Sequence, residues 1–146
     1  MKVLVTGALG FVGANLCCHF AKEHNAEVIG VDNNFKIHGS KENLKLIESY
    51  SVKFDNCDIR KNKDVDNIFK TYGPFDFIFN MAAQVAFKVS VENPRLDFNI
   101  NALGNFNLLE AVRLKNPEAQ YVYASTNQVY GELKNIAVKE YETRFD

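Results

Sequence analysis

Cysteine is scarce in this chain of 146 residues: only Cys17, Cys18 and Cys57 occur. An odd count with two adjacent members excludes a disulfide framework and points to a reducing compartment. The three also lack metal-ligand spacing, so no metal is expected; on the predicted first helix Cys17 and Cys18 read as buried or half-buried thiols. Neither sign of charge is in excess, with 17 basic against 18 acidic side chains and a net charge of -1. That balance argues against a nucleic-acid partner or an anionic membrane surface. No apolar run reaches the ~18 residues of a membrane span, and the stretch before the first glycine is too short for a signal peptide. Repeats, low-complexity tracts and linkers are missing too. What remains is a 47% hydrophobic sequence, long enough for one domain with a real core and expected in the cytoplasm.

The apolar run Val3-Leu4-Val5 breaks into Thr6-Gly7-Ala8-Leu9-Gly10-Phe11-Val12-Gly13. Glycines at i, i+3 and i+6 directly after a predicted strand and before a predicted helix form a cradle for a dinucleotide pyrophosphate. Gly7 permits the tight turn, Gly10 lets backbone approach phosphate, and Gly13 allows close helix packing. Free N–H groups at the helix start, where Phe11 and Val12 stand, would meet the negative charge. Asp32 closes the next apolar run, where a carboxylate would accept from the adenosine ribose hydroxyls. It would repel a 2′-phosphate, which favours NAD over NADP. A turn formed by Asp32 with Asn33 and Asn34 is the plain structural alternative.

The apolar periodicity predicts strands at 2–6, 27–32, 52–54, 75–80 and 120–124, alternating with helices at 11–24, 63–72 and 95–114. A turn at Gly39-Ser40 leads into a short helix capped by Ser40, with Leu44 and Ile47 as its apolar stripe. Pro94 starts the long helix from its first turn. Alternation at this spacing predicts an α/β fold, a Rossmann-type parallel sheet with helices on both faces and strand order 3-2-1-4-5. The chain is expected to be truncated after about the fifth strand.

Further candidates sit at the carboxyl ends of later strands. Asp58 could hydrogen-bond the adenine amino group with Ile59 flanking the ring, or make a loop ion pair with Arg60. Met81, Ala82, Ala83 and Gln84 follow the fourth strand, where small residues allow a cofactor close to backbone; a simple strand-to-helix bend is the other reading. Asn99, a poor helix former inside the long helix, would support a buried turn near the cofactor or be an exposed polar residue. Ser125 and Thr126 follow the fifth strand, where open α/β sheets place their ligands. A hydroxyl there can hydrogen-bond a sugar oxygen as it becomes a carbonyl, but it is no strong base. Tyr130 and Lys134 straddle Gly131 in a loop that would not fix catalytic geometry; Tyr141 has Phe145, not lysine, four residues on.

With those residues in place, the chain resembles the extended short-chain dehydrogenase/reductase superfamily, in its NAD-dependent nucleotide-sugar epimerase and dehydratase branch. Residues 6–13, Asp58-Ile59-Arg60, Ala82-Ala83-Gln84, Asn99 and Val129-Tyr130-Gly131 match in order. Ser125-Thr126-Asn127, the segment 140–145 and the long segment 33–50 narrow the resemblance to the CDP-paratose 2-epimerase (CDP-tyvelose epimerase) group.

The resemblance implies tightly held NAD that takes a hydride from a nucleotide sugar and returns it to the other face. It implies Thr126 as the catalytic hydroxyl. The family's tyrosine and lysine, the last strands and the substrate-binding domain would lie beyond Asp146, so the fragment is expected to be inactive. A 4,6-dehydratase or 4-epimerase of the same branch is an alternative; a dehydratase normally carries an acidic residue where Asn127 stands. A non-enzymatic NAD-binding or interaction module is another. Ala8 replaces a frequent glycine, a methyl expected to be tolerated, and Asn80 replaces a frequent histidine, expected to alter the pocket wall. An uncovered fifth strand, with the family's habit of pairing through the long helix, predicts a homo-oligomer.

Overall fold

The computed structural model describes residues 1–34, 40–131 and 139–143. Gly39, Lys134 and Phe145 lie outside the described residues. Five strands form one sheet: β1 (Lys2–Thr6), β2 (Glu27–Asp32), β3 (Lys53–Asn56), β4 (Phe77–Asn80) and β5 (Gln120–Tyr123). Their order is β3-β2-β1-β4-β5, as predicted, and every pairing is parallel.

β1 lies at the centre because it is apolar on both faces. Leu4 packs with Ile29, Ile78, Val65, Ile68 and Leu108 on one side. Val3 and Val5 pack with Ala14, Cys17, Val28 and Ile47 on the other. The period of two along a strand thus splits the core into two layers. Helices α1 (Phe11–Glu23) and α2 (Ser40–Ser49) cover the second layer, while α3 (Asn62–Tyr72) and a later helix cover the first.

The helix predicted at 95–114 is present as one continuous helical run over 94–115 that contains a π turn. Here α4 (Phe87–Glu92) precedes α5 (Pro94–Phe98), then a π-helical turn at Asn99–Gly104 leads into α6 (Asn105–Lys115). The side chain of Asn93 caps α5 by accepting from the Leu96 N–H at 3.1 Å, and Pro94 occupies the first turn. A π turn adds a residue to the helical circuit, and such bulges gather at functional sites. Here it presses Gly104 onto Ile59: a Cβ on Gly104 would stand 2.7 Å from the Ile59 side chain. Asn107 donates to the Ile59 carbonyl at 2.9 Å, which locks the same contact.

Ala8 is fully buried, and its methyl has room because residue 30 is glycine: a Cβ there would lie 2.8 Å from Ala8 Cβ. Gly30→Ala should therefore destabilise by about 1–3 kcal/mol through overpacking. Adding Ala8→Gly should recover most of that loss in a denaturant double-mutant cycle. Additive effects would mean that the two methyls do not meet.

β5 has β4 as its sole strand neighbour among the described residues, and Val122 and Tyr123 are exposed. No helix of the described residues is long and apolar enough to cross a membrane.

Candidate functional site

The carboxyl ends of β1, β2 and β4 open on one cavity of about 550 Å³. Its floor is the β1–α1 turn. Gly7 sits at φ +67°, in the left-handed region open to glycine, and a Cβ on it would meet the backbone of Ala82 at 2.8 Å. Gly13 is packed harder still: its Cβ would stand 2.1 Å from the Gly7 carbonyl oxygen. The turn is closed by Gly10 N–H donating to Gly7 O at 2.9 Å and Ala14 N–H to Gly10 O at 3.0 Å. Helix α1 starts without a side-chain cap. Among the described residues, the N–H groups of Phe11, Val12 and Gly13 find no protein acceptor. Three unpaired donors and the positive end of the helix dipole therefore face the opening.

Asp32 braces that turn from β2. Its carboxylate accepts from the Leu9 N–H at 3.1 Å and from the Asn34 N–H at 2.9 Å. Asn43 of α2 donates to the Leu9 carbonyl at 2.8 Å. Leu9 is thus held at both polar atoms, and the turn keeps its shape with an open cavity above it.

The third wall comes from the loop after β3. Asp58 is buried and accepts a forked pair of bonds from Arg60, at 2.8 Å from Nε and 2.5 Å from a terminal nitrogen. That guanidinium holds the Asp58 carboxyl below its usual range, and a hydrogen bond from Asn33 adds to the effect. The loop ion pair, one of the two sequence readings of Asp58, is present, and Asp58 also lines the cavity. Beside it Cys57 is buried, and burial followed by the nearby Asp64, Asp58 and Asp55 charges pushes its thiol up to about 12. Cys17, buried in the α1 layer, is also pushed up to about 12 by burial and the adjacent Cys18. Both should stay protonated and resist iodoacetamide at about pH 8 in the folded chain. Mass mapping should find them alkylated only after unfolding; rapid native labelling of Cys57 would contradict its burial.

The fourth wall is the loop after β4, with Met81, Ala82 and Ala83 on the cavity. It hangs on a buried polar chain. Thr6 Oγ1 donates to Asn80 Oδ1 at 2.7 Å and accepts from the Ala82 N–H at 3.2 Å. Asn80 donates to Asn105 at 3.0 Å, and Tyr121 donates to the same Asn105 oxygen at 2.7 Å. Burial raises the Tyr121 phenol, which keeps it a donor. Asn80 is 2% exposed and lies behind the pocket wall, not in it. Its expected effect on the wall is therefore indirect, through the Ala82 backbone.

The fold brings Gly7, Gly10, Phe11, Val12, Gly13, Asp32, Asn33, Asp58, Ile59, Met81, Ala82 and Ala83 to this one cavity. Gln84, Asn99, Ser125 and Thr126 are not among its lining residues. Gln84 is buried next to it. The turn support expected of Asn99 comes from Asn101, which pairs with the Gln84 backbone at 2.9 Å in both directions. Ser125 and Thr126 are exposed after β5, just before a 3-10 turn at Asn127–Tyr130. Tyr130 in that turn is exposed. Leu9, Val31, Asn43, Cys57, Val85 and Ile100 also line the cavity without having been singled out. Leu9, Cys57 and Val85 adjoin motif residues and could have been read from that adjacency. Asn43 and Ile100 carry no local signal, because they reach the cavity through helix packing. Among the described residues no group of three or more His, Cys, Asp or Glu is placed to hold a metal.

The sequence model of the family described as GDP-mannose 4,6 dehydratase matches residues 4–146. The chain belongs to that family. Family relatives include the CDP-paratose 2-epimerase of Salmonella typhi, 42% identical over 146 residues, covering 99% of this chain and 42% of the relative. Among solved structures, UDP-glucose 4-epimerase of Thermus thermophilus, a complex with NAD, superposes with a TM-score of 0.73 at 38% identity. That match covers 86% of this chain and 38% of the other. The UDP-Glc/GlcNAc 4-epimerase of Campylobacter jejuni gives a TM-score of 0.80 at 27% identity, covering 90% of this chain and 39% of the other. The chain spans about two-fifths of the length of these relatives.

Proposed function

We propose that this chain is the NAD-binding portion of a nucleotide-sugar epimerase, of the CDP-paratose 2-epimerase kind. The observation that carries the reading is the glycine cradle: three unpaired N–H donors over a turn where Gly13 has no room for a Cβ, with Asp32 beside it. The cavity volume lies within the ~300–1,000 Å³ of small-molecule sites, and its donors suit a pyrophosphate. The Thermus thermophilus relative, solved as a complex with NAD, supports the same ligand.

In this reading Phe11, Val12 and Gly13 offer backbone N–H groups to the pyrophosphate, and the helix dipole adds to the attraction. Asp32 accepts from the adenosine ribose with the lone pairs that Leu9 and Asn34 leave unused, and its charge disfavours a 2′-phosphate. Asp58 and Ile59 border the adenine. Met81, Ala82 and Ala83 let the cofactor lie against backbone, and Gln84 holds the end of that loop. Asn99 contributes through the π turn it opens. Bound NAD supplies a hydride acceptor that can also return the hydride. Thr126, with Ser125 before it, would hydrogen-bond the reacting sugar oxygen from the end of β5; the nucleotide sugar is the substrate of the whole enzyme.

Three free cysteines fit a reducing, cytoplasmic setting. Self-association is also proposed, supported by exposed Val122 and Tyr123 on the edge strand and by exposed Phe98 and Phe106 along α5 and α6. Native mass spectrometry with and without NAD tests both parts. A mass increment of one NAD per chain supports the cofactor reading, and no adduct at high NAD would sink it. A strictly monomeric spectrum at high concentration would remove the self-association.

A further inference from the structure

The loop 81–85 forms one wall of the cavity, yet the two short helices that follow it bury no side chain. Of their apolar side chains Val89 and Leu96 are only half-buried, so apolar packing holds α4 and α5 weakly and polar contacts add to it. The bonds converge on one atom. Asp97 Oδ1 accepts from Ser90 Oγ at 2.9 Å and from Asn101 Nδ2 at 2.9 Å. Ser90 belongs to α4, Asp97 to α5 and Asn101 to the π turn, so a single carboxylate oxygen ties three segments together.

We infer that Asp97 is a positioning residue for the cavity, fixing the loop 81–85 through Ser90 and Asn101.

The chemistry follows from the amide of Asn101. Its Oδ1 accepts from the Gln84 N–H at 2.9 Å, and its Nδ2 donates to the Gln84 carbonyl at 2.9 Å and to Asp97. Both amide hydrogens are therefore used. A flipped amide would aim its oxygen at the Asp97 carboxylate and its NH₂ at the Gln84 N–H. The Gln84 backbone already favours the observed orientation, and Asp97 reinforces it by accepting the second amide hydrogen. The other side of Gln84 is held as well. Its side chain donates to the Ala86 carbonyl at 2.7 Å and accepts from the Ala86 N–H at 3.3 Å. The loop is consequently anchored at Ala82 by Thr6 and at Gln84 by the Asp97 cluster. Val85 and Ile100, each next to an anchored residue, line the cavity. The inference rests on the cofactor reading for its ligand; the clamp itself does not.

The test compares Asp97→Ala with Asp97→Asn in the full chain, reading NAD affinity by calorimetry and Gln84 amide exchange by NMR. Asp97→Ala is expected to weaken NAD about tenfold and to speed Gln84 exchange about tenfold or more. Asp97→Asn keeps an acceptor oxygen in the same place and should stay within about threefold of wild type in both. Because Asp97 is only half-buried, the thermal midpoint should move little; if Asp97→Ala fails to fold, Ser90→Ala, which removes one arm, should show the same exchange effect more weakly. Unchanged Gln84 exchange in the folded alanine variant would overturn the clamp. Equal losses in the alanine and asparagine variants would overturn the acceptor role. Should wild type take no NAD, the cofactor reading fails, while Gln84 exchange still decides whether Asp97 positions the loop.

Discussion

Gly13→Ala is expected to cost about 3 kcal/mol or more of stability and to abolish cofactor binding. The added methyl would stand 2.1 Å from the Gly7 carbonyl oxygen, 2.7 Å from its carbon and 2.9 Å from Ala8 Cα. All three are backbone atoms, so no rotamer change can relieve the contact. The turn must open, and with it the hydrogen bonds from Gly10 and Ala14 that shape the cradle. For a chain of this size the thermal midpoint should fall by about 6–12 °C. Gly10→Ala is the informative contrast. Its φ is -77°, and the added Cβ would meet only the Gly7 oxygen, at 3.2 Å. The fold should survive with a midpoint shift of a few degrees, while a methyl on the cavity side should weaken NAD by about tenfold or more. Thermal scans and calorimetry on both variants separate packing from ligand approach. A fully stable Gly13→Ala chain that still binds NAD would refute the close-packed turn.

Asp32→Ala should weaken NAD by about 10–100-fold, the range for losing a hydrogen bond to a charged group. Two effects add. The ribose loses its acceptor, and the Leu9 N–H loses the carboxylate that holds it at 3.1 Å. Asp32→Asn should fall between, since its amide retains one acceptor oxygen but presents a donor on the other side. The loss of negative charge should also narrow the preference for NAD over NADP in both variants. Competitive titration with the two cofactors reads this directly. An Asp32→Ala chain with unaltered NAD affinity would leave the residue as a turn former only, held to Asn34.

The sheet was legible because its signals are local. Val3, Leu4 and Val5 leave no polar face on β1, so it had to be central and buried on both sides. Gly7, Gly10 and Gly13 announce a turn by spacing alone. Strand order followed from alternation and right-handed crossovers, which leave few arrangements. The helix after Pro94 was less legible. A π turn changes the period only over Asn99–Gly104, and at its end Gly104 approaches Ile59, a contact between distant segments. Within this run it is Asn101, not Asn99, whose side chain bonds to the Gln84 backbone.

The ion pair of Asp58 shows the limit in another form. Sequence spacing allowed either an adenine contact or a bond to Arg60, because both need only a carboxylate in a loop. The fold places Asp58 against Arg60 and on the cavity at once, and Arg60 lowers its carboxyl below the usual range. Buried in that pair, it remains an acceptor at neutral pH.

By itself the sequence determined the order of the strands and the glycine turn, and pointed to a class of ligand, because each depends on neighbours along the chain: apolar period, φ preference and the position of one carboxylate. Only the tertiary structure decided which walls enclose the cavity. Asn43 reaches Leu9, Thr6 holds Ala82 and Asp97 ties Ser90 to Asn101. Hydrogen bonds between side chains and distant backbone leave no periodic trace, since their partners become neighbours when the two hydrophobic layers close on the sheet.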